Sequence, residues 1–417
     1  MKDIKRDKYL QRLIDRQNNG MIKVITGIRR CGKSYLLFNI FYNYLIESGV
    51  DPSNIITVQL DDDTYKELRD PENLNNFIRS QITDKGQWYV MLDEIQMCKG
   101  FEGILNGLLY KQNVDVYVTG SNSKFLSSDI ITEFRGRGDQ VRVWPLSFSE
   151  FSSAFSGDKY EAWASYITFG GLPRLLSLNS NELKNNYLLN LTQELYLKDI
   201  ENRYNLRGNS YMPELLNVLA SSIGSLTNPT KLSNTFTSKG KAISNKTVSL
   251  YIDYLIDAFF INKVERYDVK GKHYIASPYK YYFTDIGLRN AQINFRQLEE
   301  NHIMENIIYN ELRYRGLNVD VGMVEHFDKN KNGERRRKNL EVDFVCNLAS
   351  QRYYIQSAFS IPDREKMEQE QKSLINIDDS FKKIIIVKDP TITWRNEQGI
   401  TIMGVLDFLL NPNSLDV

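Results

Sequence analysis

The sequence predicts an α/β protein: a parallel sheet with helices around it in the first third, a mainly helical middle, and a second α/β region at the end. Three observations predict it. Between residues 21 and 145, apolar strand-like runs (21–26, 88–96 and 114–123 among them) alternate with stretches whose apolar residues recur at helical spacing. A glycine-rich segment, "GIRRCGKS", stands between the first of those strands and a helical pattern carrying Leu36, Leu37, Ile40, Tyr44 and Leu45. Two later apolar runs, "EVDFVC" and "YYIQSAFS", each enclose one polar side chain, Asp343 and Gln356.

At 417 residues the chain is long enough for two or three domains with their own cores. Its hydrophobic content of 41% and charged content of 25% are those of an ordinary globular protein. With a net charge of +1, no overall field draws it to nucleic acid or membrane, so any such contact needs a local patch. The first twenty residues are too charged for a signal peptide, and no apolar run approaches membrane-spanning length. Cys31, Cys98 and Cys346 are far apart and there are three histidines, which argues against a disulfide framework or a zinc site. The expected location is the cytoplasm.

Gly27 to Ser34 fit the pattern G-x-x-x-x-G-K-[ST], in the strand–loop–helix context that makes it a phosphate loop. Glycines let backbone N–H groups curl around phosphates, and the following helix presents its N-terminus to the same negative charge. The nucleotide site is therefore expected at Gly27, Ile28, Arg29, Arg30, Cys31, Gly32, Lys33, Ser34 and Tyr35, with ATP and Mg²⁺ as cofactors. Lys33 would reach the β- and γ-phosphates and the Ser34 hydroxyl would sit on the metal. The apolar strand "WYVMLDEIQ" ends in two acids, with Asp93 expected to hold Mg²⁺ through water and Glu94 to polarise the attacking water. "VDVYVTGSNS" ends in small polar residues, of which Ser121 or Asn122 is the candidate to sense the γ-phosphate. Arg135 or Arg137, before a fifth strand, is the candidate arginine finger, acting in its own site or a neighbour's.

"GIRRCGKS", "VMLDEIQ", "TGSNS", "GRGDQVRVWPLSFSEF" and "YITFGGLPRLL" together resemble the AAA-type ATPases of bacteria and archaea that carry a C-terminal endonuclease-like domain. The resemblance runs through most of the chain. It implies an ATPase core with a small helical lid over residues 1–205. "GGLP" is similar to a glycine–proline motif with which related ATPases contact the nucleotide. By that likeness Pro173 would touch the base and Arg174 would act as a second sensor. Read from the residues alone, "GGLP" is a turn between two helical stretches.

Residues 206–290 change character. "YMPELLNVLASSIG" has an amphipathic helical pattern, "NPTKLSNTF" opens with a cap and turn signal, and a longer helix carries Val248, Tyr251, Ile252 and Leu255. Short strands around "DVKGKH" follow. Three helices and a strand pair are the order of a winged helix-turn-helix, and the resembled family is similar in having one here. Ser244, Asn245, Lys246 and Thr247 begin the would-be recognition helix, but its body carries Asp253 and Asp257. A protein-docking or spacer role therefore stands beside DNA reading.

Residues 291–417 are expected to form an endonuclease-like α/β domain. A helix with Ile303, Ile307, Ile308 and Leu312 on one side carries Glu305, and the strands with Asp343 and Gln356 follow. That order is similar to the PD-(D/E)XK endonucleases, whose carboxylates hold Mg²⁺ and whose lysine steadies the attacking water. Two departures matter. Gln356 offers a metal a neutral oxygen, and Ala358 stands where the lysine belongs. Lys366 is the candidate to reach back in its place. Cutting is expected to be lost or much reduced. The basic stretch "KNKNGERRRK", with Arg335, Arg336 and Arg337, is the strongest candidate for DNA contact.

The leading expectation is an Mg²⁺-dependent ATPase coupling nucleotide state to a DNA-associated winged-helix and degenerate nuclease-like half. The rivals are a nucleotide-dependent switch that binds a protein partner, and an ATP-gated active nuclease. Self-association is the further partnership that an arginine finger would imply.

Overall fold

A computed structural model describes residues 4–83, 86–121, 136–206, 211–238, 240–296, 299–329 and 335–416. Two compact units emerge, one of Met1–Pro145 with Asp257–Phe259, the other of Leu146–Ile256 with Phe260–Val417.

The first unit is built on a sheet whose five described strands are β1 (Ile22–Thr26), β2 (Ile55–Gln59), β3 (Trp88–Asp93), β4 (Val114–Gly120) and β5 (Gly138–Arg142). All run parallel, in the order β2-β3-β4-β1-β5. A parallel sheet needs helical crossovers, which cover both faces, so its central strands are buried throughout; β1, β3 and β4 are. Val24, Val58, Val90, Leu92, Val116 and Leu105 meet in the core. Local signals set the surrounding elements. Asp70 accepts from the backbone of Glu72 and Asn73 and starts the helix Pro71–Gln81, whose first position is a proline. The helix after β1 runs from Lys33 to Glu47 with a π-helical middle, Leu36–Phe41.

In the second unit, helices begin with reciprocal caps: Ser147 with Glu150 for Phe148–Ala154, and Asp158 with Glu161 for Lys159–Phe169. The helices Met212–Ser221, Pro229–Ser238 and Asn245–Asp257 follow, then a hairpin of β6 (Ile261–Asp268) and β7 (His273–Phe283). Thr227, between the first two of these helices, exchanges both backbone hydrogen bonds with Tyr279 of β7. The hairpin is one side of a larger sheet with β8 (Asn318–Lys329), β9 (Arg335–Leu348), β10 (Gln351–Ala358), β11 (Lys382–Val387), β12 (Trp394–Arg395) and β13 (Thr401–Gly404). The order is β12-β13-β11-β10-β9-β8-β6-β7.

Both inner domain divisions expected from sequence are bridged. The first unit closes at Pro145, and helices of 146–205 pack with the second. Across residue 290, β6 pairs parallel with β8 through Arg266, Tyr267 and Asp268 against Val321, Gly322 and Met323. Backbone pairing leaves no trace in composition.

"GGLP" has a structural task of its own. The Gly171 N–H donates to Asp285 Oδ2 at 2.7 Å, while Asp285 Oδ1 caps the helix Ile286–Gln292 through the Leu288 N–H. Burial pushes the Asp285 carboxyl up to about 6 against these backbone donors. Asn290 of that helix donates to the Ile167 and Thr168 carbonyl oxygens at 2.9 Å. The two segments approach so closely that a Cβ on Gly287 would stand 1.8 Å from the Phe169 carbonyl oxygen. Gly287→Ala is therefore expected to destabilise the protein by about 1–3 kcal/mol or more through forced overpacking, read as a fall in the urea midpoint by circular dichroism.

Candidate functional site

The phosphate loop leaves the C-terminal end of β1 and turns under β5. Gly27 adopts φ +144°, and a Cβ there would fall 2.1 Å from the Val143 carbonyl oxygen, so no other residue fits without movement. Arg30 and Gly32 also take left-handed backbone, with φ of 64° and 98°. Ile28 and Cys31 are buried beneath the loop, Cys31 Sγ lying 3.5 Å from Val143 O, and burial raises its thiol pKa. Arg30 and Tyr35 are exposed. Lys33 is 4% exposed, and its ammonium donates to the Gly27 and Ile28 carbonyl oxygens at 3.1 and 3.2 Å. A charge held over a phosphate loop by two weak carbonyl contacts can exchange them for a polyphosphate.

Because β3 and β4 run beside β1 in the same direction, their ends meet this loop. Asp93 is 3% exposed and bonds the hydroxyls of Ser34 and Thr119; burial raises its pKa, which those hydroxyls oppose. Thr119 also accepts the Glu94 N–H at 3.0 Å, so one hydroxyl fixes both acids. Glu94 sits in left-handed backbone (φ 46°, ψ 47°), a conformation that costs a non-glycine residue roughly 1–2 kcal/mol and turns its side chain away from the strand direction. Its carboxylate accepts from Gln96 and, at 3.2 Å, from Ser121 Oγ. Ser121 in turn accepts from Arg29 Nε at 3.3 Å. A bonded chain thus runs from the phosphate loop to Glu94.

Ser34 and Asp93 are a hydroxyl and a carboxylate already in contact, an oxygen donor set suited to Mg²⁺ beside Lys33. Thr119 and Gln96 were not singled out from sequence. A hydroxyl ending an apolar strand that faces two acids was the available signal for the first; nothing marked the second. Asn122 and Arg135 lie outside the described residues. Arg137 enters β5 at the opposite edge of the sheet, its carbonyl accepting the Ile22 N–H and its guanidinium 5.7 Å from the Tyr110 ring. The length of a strand, roughly 15 Å, separates it from the phosphate loop, so it does not act in this chain's own site. Pro173 and Arg174 begin the turn Pro173–Ser177 in the second unit.

In the second unit the structure joins Glu305, Asp343 and Gln356 and adds Lys280, Glu341 and Tyr282, which sequence reading passed over. Lys280 of β7 places its ammonium 2.8 Å from Glu305 Oε1, 2.7 Å from Glu341 Oε1 and 3.5 Å from Asp343 Oδ1. The Tyr282 hydroxyl donates to Glu305 at 2.5 Å, and the Ser357 N–H to Asp343 Oδ2 at 2.8 Å. Gln356 Oε1 lies 3.4 Å from the Asp343 N–H. Gly224, at φ +72°, leaves room for the cluster: a Cβ there would stand 3.1 Å from Glu305 Oε2. Burial opposes ionisation of Glu305, but the Lys280 charge together with hydrogen bonds from His302, Lys280 and Tyr282 outweighs it and holds the carboxyl at about 2. Burial drives Asp343 up to about 7 despite Lys280. Lys366 does not supply the missing lysine. It pairs with Glu370 on its own helix at 2.6 Å, and Ala358 is buried in the core. A lone lysine in the apolar run "KYYF" was the signal for Lys280, since a charge in a buried strand needs a partner.

The basic ribbon is described in part. Arg335 and Arg336 pair by backbone with Lys329 and Asp328, and Arg337 bonds Glu325 at 2.7 Å. Ser244 caps the helix Asn245–Asp257 through the Thr247 N–H, and the Asn245 side chain donates to Thr230.

A parallel sheet in this order, with a phosphate loop after β1 and paired acids after β3, defines an AAA-type P-loop ATPase fold. Residues 19–152 match the family model of an AAA domain, and residues 160–299 that of a domain of unknown function, DUF8612. The chain belongs to the family of an uncharacterized protein of Haemophilus influenzae, to which it is 33% identical over 413 residues, covering 98% of each. It is 27% identical to the uncharacterized protein MJ1544 of Methanocaldococcus jannaschii over 392 residues, 88% of this chain and 82% of that one. Among solved structures it is similar to the Walker-type ATPase PABY2304 of Pyrococcus abyssi, with a TM-score of 0.51 and 16% identity over 70% of this chain and 96% of that one. That likeness is one of fold. No described helix is long and apolar enough to cross a membrane.

Replacing Thr119 by valine removes the hydroxyl shared by Asp93 and Glu94 while keeping its volume. Nucleotide affinity, measured with a fluorescent ATP analogue, is expected to change little, whereas kcat for hydrolysis is expected to fall about tenfold or more.

Proposed function

We propose that this protein is an Mg²⁺-dependent ATPase whose nucleotide state controls a DNA-engaging second half. The observation that carries the reading is the single Thr119 hydroxyl holding Asp93 and Glu94 beside Ser34 and Lys33. Lys33 would offset charge on the β- and γ-phosphates, and Ser34 with Asp93 would hold Mg²⁺, which supplies charge neutralisation on the phosphate oxygens. Glu94 would orient and polarise the attacking water once Gln96 and Ser121 release its carboxylate. Ser121, bonded to both Arg29 and Glu94, is the better-supported of the two sensor candidates. Pro173 and Arg174 are carried over as nucleotide contacts by resemblance, and Arg137 as a finger in a neighbouring copy's site.

The DNA part of the reading rests on three helices followed by a hairpin, with Thr227 bridged to Tyr279 as a winged helix requires, and on Arg335, Arg336 and Arg337. The same residues favour a second reading, a switch that docks a protein. Ser244 and Asn245 are engaged in local capping, and Arg337 in an ion pair.

Steady-state ATP hydrolysis with Mg²⁺ separates these readings when run with duplex, branched and single-stranded DNA and with Glu94→Gln as control. Turnover stimulated by one DNA form, and reduced about a hundredfold or more in the control, is the expected outcome. Turnover indifferent to every DNA would favour the protein-docking switch. Turnover unchanged in Glu94→Gln would remove the assignment of that residue.

A further inference from the structure

The order Glu305, Asp343, Gln356 invites a divalent cation, and the side chains around it do not fit one. Magnesium draws oxygen ligands to about 2.0–2.1 Å in near-octahedral array. Here the Glu305, Glu341 and Asp343 oxygens converge on the Lys280 nitrogen, at 2.8, 2.7 and 3.5 Å. An ammonium has three N–H donors and no acceptor, and this one donates to Glu305 and pairs by charge with Glu341 and Asp343. The lysine is well enclosed: its side chain is 3% exposed, those of Glu305 and Asp343 10% and 11%. Gln356 contributes a neutral amide next to Asp343 where a fourth acid would strengthen a metal's claim.

We infer that Lys280 is a resident cation that takes the place of a divalent metal in this carboxylate centre and keeps the centre metal-free. Its three partners lie on different elements: Glu305 on the helix Glu300–Tyr314, Glu341 and Asp343 on β9, with Lys280 itself on the hairpin strand β7. The ammonium therefore clamps the hairpin to the α/β sheet and helix, and serves as a fixed joint where a nuclease would have a reacting centre. Because Glu341 is 37% exposed, the centre opens to solvent on one side, and an ion could enter if the lysine charge were removed.

The test is a manganese titration of the nucleotide-free, full-length protein, with free Mn²⁺ read by electron paramagnetic resonance. Wild type is expected to bind no Mn²⁺ that Asp343→Asn abolishes. Lys280→Ala is expected to gain one Mn²⁺ per chain, lost again when Asp343→Asn is added. A folded Lys280→Ala that gains no ion overturns the inference, as does a wild-type site that disappears in Asp343→Asn. If the alanine variant does not fold, Lys280→Met keeps the stem length without the charge, and the comparison of wild type with Asp343→Asn decides by itself. Nicking of plasmid DNA by wild type with Mg²⁺, absent in Asp343→Asn, would overturn it equally. None of these readouts depends on ATP turnover, so failure here leaves the nucleotide-site reading standing.

Discussion

A charge taken out of water must find a partner, and that constraint shapes both units of this protein. In the first, Lys33 rests on two carbonyl oxygens while Asp93 is held by hydroxyls of Ser34 and Thr119. The two carbonyl contacts of Lys33 are weak enough for an incoming ligand to replace. In the second, Lys280 has charged partners at hydrogen-bond distance. A lysine so paired is costly to displace, because its departure would leave the buried Glu305 and Asp343 carboxylates facing one another. The same physics yields an exchangeable site in one unit and a fixed joint in the other.

What makes the first site a site is strand order. The parallel pairing of β1 with β4, and of β4 with β3, brings three strand ends to one edge, where each contributes a different group. The phosphate loop follows β1, the two acids close β3, and Thr119 and Ser121 close β4. Arg137 obeys the same geometry in reverse: it precedes β5, so it must sit at the far edge. An arginine within a few residues of a strand can serve its own nucleotide only if it follows that strand.

The hairpin β6–β7 shows how one element can answer two descriptions. By order along the chain it follows three helices, and Thr227, between the first two of them, is bridged to it. By backbone pairing it is one side of the C-terminal sheet, through β8. Lys280 lies on this shared element, which is why the carboxylate centre draws residues from both sides of position 290. Close approach fixes the rest of the unit in a similar manner: Gly170 and Gly287 admit the Asp285 carboxylate and the Phe169 carbonyl at distances that any side chain would obstruct.

The phosphate loop, the acid pair and the strand-helix alternation could be read directly from the chain because their meaning is local. Spacing within "GIRRCGKS" dictates which backbone conformations are needed, and an apolar run ending in Asp93 and Glu94 dictates an acid at a strand end. The helix with Glu305 and the strands with Asp343 and Gln356 were equally legible as elements. Their company was not. Lys280 comes from a strand 25 residues before Glu305, and Thr119 meets Asp93 from 26 residues away; only folding brings such pairs together. Sequence alone determined which chemical groups the protein owns and which backbone each requires. Tertiary structure decided which of them are neighbours, since pairing across a sheet and burial of charge depend on distances that sequence order does not contain.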